Sequence, residues 1–190
     1  MSSTVQRFDV ADLPATPWKN GGGSTREIAS WPPGAGFEGF DWRVSIASIA
    51  ASGPFSQFVG VDRIITLLEG DGVRLQGEDL DHRLATPLAP FAFSGDARID
   101  CTLLGGASSD FNVMTRRGRL RAAFHVLHRA AELPVAPHGL LLAWRGNWLA
   151  GDTPLAQGQG LWWADAATCW RLHTVDADAA LLAVQWHPAR

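Results

Sequence analysis

The sequence predicts an all-β protein, and two observations support that prediction. Short alternating or apolar runs dominate the chain, and Gly, Pro, Asp or Asn interrupts them roughly every eight to twelve residues. Apolar residues at the 3.6-residue spacing of an amphipathic helix are almost absent. Short strands separated by turn residues at this spacing are typical of a β-sandwich or a β-barrel.

The strands are clearest in the first two thirds of the chain. Residues 42–49 alternate between two faces, and residues 63–68 form a nearly continuous apolar run. Residues 69–72, Glu-Gly-Asp-Gly, predict a hairpin turn, with residues 73–75 as its return strand. Residues 97–104 predict another strand, which two glycines end.

Loops and crossings are predicted from turn residues and charge. Residues 14–23 are poor in strand formers and predict a loop, and residues 32–36 predict a surface loop. The basic stretch 116–121 is predicted to connect two halves of the chain. Further strands are predicted at residues 140–144, 168–175 and 180–186.

The chain also repeats an order of features. Residues 64–72 and 140–148 each combine an apolar run, a charged residue, a glycine and a polar residue. Thr-Pro-Leu-Ala follows each copy, at 86–89 and at 153–156, and a strand with a cysteine comes after it. We interpret these features as two copies of one β module. They predict a bicupin, two fused jelly-roll barrels of the RmlC-like, double-stranded β-helix type. Within a single domain of residues 1–190, the predicted modules are about 1–115 and about 116–190.

Composition argues against several classes of function. The net charge is −3, with 16 basic and 19 acidic residues mixed along the chain, and no basic stripe indicates a nucleic-acid partner. No apolar run reaches the roughly 18 residues that a membrane-spanning helix needs. The first residues lack the apolar core of a signal peptide, and the two cysteines belong to no motif. We therefore expect a cytoplasmic protein that binds neither nucleic acid nor membranes.

Lys19 is the single lysine among the 16 basic residues, and it lies beside Asn20 and three glycines. Lysine is a compact point charge, whereas arginine is a wide planar fork. A site that requires the compact charge is one explanation for Lys19, and chance is the other. The glycines either offer backbone N–H groups to a ligand or form a flexible turn. A nucleotide-binding P-loop is excluded, because its lysine directly follows the last glycine and a helix comes next.

Arg43 and Ser45 share one face of the strand predicted at 42–49. A charge inside a barrel has to be paired, since burying it alone is very costly. The partner of Arg43 is therefore either an anionic ligand or an acidic side chain such as Glu27 or Asp110.

Arg63 poses the same question on the next apolar strand. The adjacent Asp62 is its most ordinary partner. Asp110 and Asn112 lie two residues apart, so an extended backbone points both to one side, where they would orient a polar ligand.

A metal centre is not predicted. Metal-binding cupins use a His-x-His pair, because two imidazoles at that spacing face one cavity, and no two of the six histidines have this spacing. Cys101 and Cys169 lie in apolar strand patterns, which favours packing over nucleophilic catalysis. A Gly-x-Ser-x-Gly nucleophile elbow is absent. We expect neither a metal nor another cofactor.

Several blocks of the sequence resemble the HutD/Ves family. They occur in the expected order over roughly residues 14–121, whereas the C-terminal third contains no diagnostic block. The resemblance implies a bicupin fold without the usual cupin metal ligands and a link to bacterial histidine utilisation. The blocks are residues 17–28, 41–45, 53–58, 60–63, 93–96 and 110–114.

The resemblance implies a binding protein that limits histidine utilisation by holding a pathway intermediate such as urocanate or N-formylglutamate. Ves-type relatives are instead linked to cold and stress responses, and the motifs do not separate the two branches. We expect a small anionic metabolite as the partner, with a homodimer as one option for the assembly. The predicted ligand-binding residues are Trp18, Lys19, Asn20, Arg43, Ser45, Phe58, Arg63, Asp110 and Asn112.

Two alternatives to a binding protein remain open on the sequence. The first is a metal-independent cupin enzyme, an isomerase or hydrolase on a small polar substrate, with Glu27 or Asp110 as general base. Lys19 or Arg43 would then stabilise developing negative charge. The second is a structural β protein without a ligand. No convincing pair of a base and an orienting residue is visible, so binding is preferred over catalysis.

Overall fold

The computed structural model describes residues 5–189, and strands dominate that part of the chain. The chain divides into two compact units, an N-terminal unit, Pro14–Arg119, and a C-terminal unit, formed by residues 120–189 together with residues 5–13. The predicted boundary near residue 115 stays a prediction. The elements in chain order are β1 (Gln6–Asp9), a 3-10 turn (Val10–Asp12), β2 (Thr16–Pro17), β3 (Gly23–Trp31), α1 (Gly36–Gly39), β4 (Trp42–Ile49), β5 (Gly53–Phe55), β6 (Val61–Glu69), β7 (Val73–Gly77), β8 (Leu80–Leu84), β9 (Pro90–Ser94), β10 (Ile99–Leu103), β11 (Ser108–Arg116), β12 (Leu120–Leu127), β13 (Ala131–Ala136), β14 (His138–Arg145), β15 (Trp148–Ala150), β16 (Thr153–Leu155), β17 (Gln159–Trp163), β18 (Thr168–His173) and β19 (Ala180–Pro188).

The N-terminal unit consists of two antiparallel sheets. The larger sheet has the strand order β2-β3-β4-β11-β6-β9, and the smaller sheet has the order β5-β10-β7-β8. Both sheets contribute apolar side chains to one core, because alternate residues of each strand point to the same side. The core residues of this unit are Ile49, Ile65, Leu67, Val73, Leu75, Leu84, Phe93, Ile99 and Cys101.

The C-terminal unit has the same construction. Its larger sheet has the order β1-β17-β14-β19-β12, and its smaller sheet has the order β13-β18-β15-β16. Its hydrophobic core includes two fully buried tryptophans, and the one buried polar residue on the same face of β19 is Gln185. The core residues are Leu133, Leu141, Ala143, Trp148, Ala150, Leu155, Leu161, Trp163, Ala166, Leu172, Ala179, Leu181 and Ala183.

The two units repeat one topology. The order β4-β11-β6-β9 with β5-β10-β7-β8 recurs as β12-β19-β14-β17 with β13-β18-β15-β16. Residues 64–72 and 140–148 therefore begin on equivalent strands, β6 and β14. A β-bulge lies beside Asp110 in the pair β6–β11 and beside Ala143 in the pair β14–β19. When the two strand pairs are aligned on these bulges, each residue of one inner face has an equivalent residue in the other.

Some of the predicted details are wrong. Residues 69–72 do not form a hairpin turn, because β6 pairs with β11 and β9, whereas β7 pairs with β10 and β8. The chain instead crosses from one sheet to the other at Gly70 and Gly72. Both glycines have positive φ, and a Cβ on either would collide with backbone atoms. A turn signal shows that the chain bends, but it does not show which sheet the next strand joins.

The two shorter sequence matches do not mark equivalent positions. Thr86 lies after β8, whereas Thr153 begins β16. Cys101 is buried, and Cys169 is exposed. The repeat therefore lies in the order of the strands and not in these individual residues. Among residues 5–189, no helix is long and apolar enough to cross a membrane.

Candidate ligand-binding site

A group of polar side chains lies on the inner face of the larger sheet of the N-terminal unit. Arg43 on β4 and Arg63 on β6 both pair in register with Met114 of β11, and Ser45 pairs with Asn112. These neighbours share a face because strands alternate their side chains. We call this group the polar cluster; its members, with their exposed fractions, are Arg43 (6%), Ser45 (2%), Arg63 (5%), Asp110 (2%) and Asn112 (5%).

Arg43 lies where the polar cluster approaches solvent. Its Nε donates a 2.6 Å hydrogen bond to the carboxylate of Glu27, whose side chain is 47% exposed. The guanidinium carbon lies 5.0 Å from the ring centroid of Phe37, which is 63% exposed. The partner of Arg43 is thus an acidic side chain, one of the two possibilities considered from the sequence. This side chain, Glu27, lies at the solvent-exposed surface and not in the core.

Arg63 lies deeper and, in the part of the chain that the structure describes, has no comparable partner. Among residues 5–189, its Nε has no hydrogen-bond acceptor, and its Nη1 makes only a long 3.4 Å bond to the Ser56 carbonyl. Aromatic faces surround its guanidinium at distances of about 5 Å, a favourable cation–π arrangement. The rings are Phe55 at 5.6 Å, Phe58 at 5.4 Å and Phe93 at 4.9 Å.

The predicted local partner of Arg63 is wrong. Asp62 pairs with Arg117 at 2.8 Å on the other side of the sheet, because consecutive strand residues face opposite ways. The carboxyl group that influences Arg63 is Asp110. Burial lowers the pKa of Arg63 to about 10, the nearby Asp110 opposes this, and Arg43 lowers the pKa further.

Asp110 is the acidic member of the polar cluster, and its pKa is strongly shifted. Burial raises the pKa of Asp110 from 3.8 to about 7, and the attraction of Arg63 only partly offsets this rise. The effect of Asp110 also reaches Cys101 on β10, where burial first and the Asp110 charge second raise the thiol pKa to about 12. Asp110 is therefore bordered by groups from both sheets.

Several buried polar atoms of the cluster are unsatisfied. Within the described chain, neither carboxyl oxygen of Asp110 has a hydrogen-bond partner, and Asn112 Oδ1 has none either. Each such atom costs about 1–3 kcal/mol when it stays unpaired. Native cores rarely retain several of these atoms side by side without a functional reason, so the cluster is suited to a polar ligand.

Trp18 lies half-buried at the end of the cluster nearest Asp110. It packs against the core of the unit, and its Nε1 donates a 2.8 Å bond to Thr25 Oγ1. Thr25 pairs with Ala47, which in turn pairs with Asp110. The indole is thus positioned by its own hydrogen bond as an apolar wall.

Lys19 and Asn20 are exposed on the turn before β3. Asn20 Oδ1 accepts a 3.0 Å bond from the Gly22 N–H. A side chain at Gly23 would collide with the Ser48 carbonyl and press on the Trp18 indole. The glycine run therefore shapes the turn beneath Trp18, and a contact of Lys19 or Asn20 with a ligand stays a prediction.

The structure thus brings six predicted residues together, namely the polar cluster and Phe58, and it places a seventh, Trp18, at the edge of that group. Four contributors were missed by the sequence analysis: Phe37, Phe55, Phe93 and Cys101. Two of them, Phe55 and Phe93, belong to sequence blocks that carry the family resemblance, but nothing in those blocks indicates that their rings face Arg63. Among residues 5–189, no three or more His, Cys, Asp or Glu side chains are grouped so that they could hold a metal ion.

Two surface clefts lie in the C-terminal unit, with volumes of about 590 and 370 Å³. Neither contains a member of the polar cluster. The larger is wide open and the smaller is mostly apolar, so neither offers buried charges that could fix an anion. The polar cluster is the stronger candidate because its charged groups are desolvated and incompletely paired.

Comparisons with known proteins agree with this architecture. A protein named Ves from Citrobacter koseri is 38% identical over 185 residues, which cover 97% of this chain and 96% of that protein. An uncharacterized 21.2 kDa protein in the hutC 3′ region of Pseudomonas putida is 49% identical over 120 residues, which cover 63% of each chain.

Solved structures extend these similarities. A conserved protein of unknown function from Pseudomonas aeruginosa PAO1 matches with a TM-score of 0.86 and 37% identity, covering 97% of this chain and 99% of that one. HutD from Pseudomonas fluorescens SBW25, in a formate condition, has a TM-score of 0.86 and 30% identity, covering 98% and 100%. The oxalate decarboxylase of Lactobacillus farciminis, at 8% identity and a TM-score of 0.69, shares the cupin-like fold alone.

The family model described as HutD matches residues 10–183 and so spans both units. The match includes every member of the polar cluster. The chain belongs to the HutD family.

Proposed function

We propose that this protein binds a small carboxylate metabolite at the polar cluster and thereby modulates bacterial histidine utilisation in the cytoplasm. The observation that carries the proposal is the pair of buried arginines, of which Arg63 has an Nε without a hydrogen-bond partner among residues 5–189. A carboxylate accepts hydrogen bonds from a guanidinium in a fork geometry. Such charge-assisted bonds contribute about 1.5–3 kcal/mol each.

Charge counting supports an anion over a cation. Glu27 neutralises Arg43 directly. Arg63 faces Asp110, which is protonated in about half of the molecules when the pH equals its pKa of about 7. The inner face therefore keeps a positive excess near neutral pH, and an anionic ligand would cancel it.

The surroundings favour a ligand with a flat or apolar portion beside its carboxylate. Phe37 and Phe58 offer ring faces at the exposed and buried ends of the arginine pair. Asp110 and Asn112 add hydrogen-bonding groups at the far end. Urocanate and N-formylglutamate both combine these features, and the names of two similar proteins, HutD and the hutC-region protein, support a histidine-pathway ligand.

We also infer that each unit is one cupin module, which makes the whole chain a bicupin. The repeated strand order and the cupin-like neighbours support this inference. Ligand binding would then belong to the N-terminal module, since the inner face of the other module is apolar apart from Gln185, whose amide donates to the Pro134 carbonyl.

Calorimetric titration with formate, urocanate and N-formylglutamate tests the binding proposal. Arg43→Gln and Arg63→Gln should each weaken binding roughly tenfold to a hundredfold, the loss of one charge-assisted hydrogen bond. Arg83→Gln is the matched control, because Arg83 is an exposed arginine of the same unit. Folding of each variant is checked by its thermal transition. Absence of binding to the wild-type protein below millimolar concentration would contradict the proposal.

A metal-independent enzyme is the second candidate, and one observation favours it. A carboxyl group with a pKa of about 7 suits general base catalysis, and Arg63 would stabilise negative charge that develops beside it. Proton NMR of N-formylglutamate with the protein separates the two functions. New formate signals would establish hydrolysis, whereas broadened but unchanged ligand signals support binding alone.

A further inference from the structure

We propose that the polar cluster takes up one proton, on Asp110, when it binds a carboxylate above neutral pH. This inference rests on the proposed function and specifies how the site is regulated. The protein then binds a carboxylate together with a proton from solvent. The affinity for the carboxylate therefore depends on pH even though the carboxylate itself does not titrate in this range.

The position of Asp110 provides the geometric basis. It lies on the inner face of β11 between Ala47 and Leu67, its partners in register, which are both buried and apolar. Neither of its oxygens accepts a hydrogen bond from any residue in the range 5–189. An ionised carboxylate in these surroundings gains nothing from hydrogen bonding and depends on nearby charge.

The charged and titratable groups around Asp110 come from four strands. Arg63 on β6 attracts the carboxylate, and Arg43 on β4 lies on the same face, held by Glu27 of β3. Cys101 on β10 faces it from the smaller sheet, and because burial raises the thiol pKa to about 12, this group stays neutral at physiological pH. Arg63 is therefore the main group that favours ionised Asp110.

A bound carboxylate removes that support. It would occupy the donors of Arg63 and place a second negative charge near Asp110, and two carboxylates that share a site cannot both stay ionised. Free Asp110 has a pKa of about 7, since burial outweighs the attraction of Arg63. In the complex the pKa rises further, so the proton stays on Asp110.

The proton also has a structural use. A protonated carboxyl group is a hydrogen-bond donor, whereas an ionised one only accepts. Asn112 Oδ1, two residues along the same face of β11, is an acceptor without a partner among the described residues. The Asp110 proton therefore points either to Asn112 or to a second oxygen of the ligand.

The sign of the pH effect follows from linkage. Below pH 7 Asp110 is protonated in both the free and the bound state, so affinity is constant. Above pH 7 each binding event takes up a proton, so affinity falls up to tenfold per pH unit. Between pH 6 and pH 8.5 the expected loss is roughly 30-fold.

Titration calorimetry with N-formylglutamate and with formate tests this coupling, because carboxyl groups are the only titratable groups of both probes and are fully ionised above pH 6. Urocanate is avoided here, since its imidazole titrates in the same range. At pH 8, the heats of binding measured in phosphate and in Tris should differ. The difference should equal the difference between the ionisation enthalpies of the two buffers, multiplied by close to one proton per bound ligand. Asp110→Asn, a neutral isostere of the protonated form, should bind equally at pH 6 and pH 8.5. Asp81→Asn is the matched control: Asp81 is an exposed carboxylate of the same unit, so this variant should keep the wild-type pH dependence.

The wild-type affinities at pH 6 and pH 8.5 decide whether binding is coupled to proton uptake. Equal wild-type affinity at pH 6 and pH 8.5 overturns the proton coupling and leaves the proposed function intact. Absence of binding at every pH overturns both. If Asp110→Asn does not fold, infrared difference spectra of the wild-type protein at pH 8 replace it. A protonated carboxylic acid band that grows on ligand addition supports the proposal, and an unchanged carboxyl region overturns it.

Discussion

Where the inner face of the N-terminal unit carries Arg63, the inner face of the C-terminal unit carries Gly139. The two positions correspond when β6 and β14 are aligned on their neighbouring β-bulges. Phe93 lies beside Arg63, and Trp163 takes the corresponding place beside Gly139. A Cβ on Gly139 would overlap the Trp163 indole, so the tryptophan fills the space that the arginine side chain occupies in the other unit.

The acidic and amide positions differ in the same way. On β11, Asp110 and Asn112 pair with Leu67 and Ile65, and the equivalent residues of β19 are Leu181 and Ala183. Leu181 and Ala183 belong to an apolar core, whereas Asp110 and Asn112 have buried polar atoms without a partner among the described residues. One topology thus supports a filled interior and a polar one, and function resides in a few side chains rather than in the fold.

The largest expected effect concerns the pH dependence of stability. The Asp110 carboxyl has a pKa of 3.8 in the unfolded chain and about 7 in the folded one. Because the folded value is higher, its stabilisation is complete below pH 3.8 and is lost as pH rises to 7, on the order of 4 kcal/mol. Urea unfolding of wild type and Asp110→Asn at pH 4.5 and pH 7.5 should show most of this loss, about 3 kcal/mol, and only in the wild type. Parallel pH profiles of the two proteins would contradict it.

A slightly smaller effect is expected in the C-terminal unit. Gly139→Ala should destabilise the protein by about 3 kcal/mol, because the added methyl group must displace the buried Trp163. Gly53→Ala is the matched control, since open space surrounds that position. Chemical denaturation with both tryptophan fluorescence and circular dichroism measures the difference. A Gly139→Ala protein as stable as Gly53→Ala would show that the tryptophan does not need this space.

Two substitutions can make the inner face of the N-terminal unit as apolar as that of the C-terminal unit. The double variant Arg63→Met, Asp110→Leu replaces two poorly satisfied buried groups with apolar ones of similar size. We expect it to gain about 1–3 kcal/mol of stability at pH 7.5 and to lose carboxylate binding entirely. A loss of both stability and binding would indicate that the cluster holds the unit together and is not kept for a ligand.

The sequence predicted the positions of the strands better than it predicted which strands pair with each other. Periodicity identified residues 42–49 with their correct bounds, because one alternating run encodes one strand. The crossing at Gly70 could not be predicted, since a turn signal is local and the choice of sheet depends on distant strands. Arg43, Ser45 and Asn112 were found because polar residues on a buried face violate the apolar pattern. The aromatic surroundings of Arg63 were missed, since rings from β5 and β9 meet only after the sheets pack.

The smallest effect concerns the turn that precedes β3. Among the described strands, β3 has no equivalent in the C-terminal unit, because β12, the equivalent of β4, is the edge strand of its sheet. Asn20 has two separable roles there: Oδ1 supports the turn by accepting the Gly22 N–H, and the amide N–H groups are the only part that could hold an anion. Asn20→Ala should cost about 0.5–1.5 kcal/mol, the worth of the lost hydrogen bond. Asn20→Asp keeps the acceptor and so should retain stability while it places a negative charge on the turn. If Asn20 contacts the ligand, calorimetry will show weaker N-formylglutamate binding for Asn20→Asp than for Asn20→Ala. Equal affinities of both variants and the wild-type protein would restrict Asn20 to the turn, and the binding site would then be built by strand residues alone.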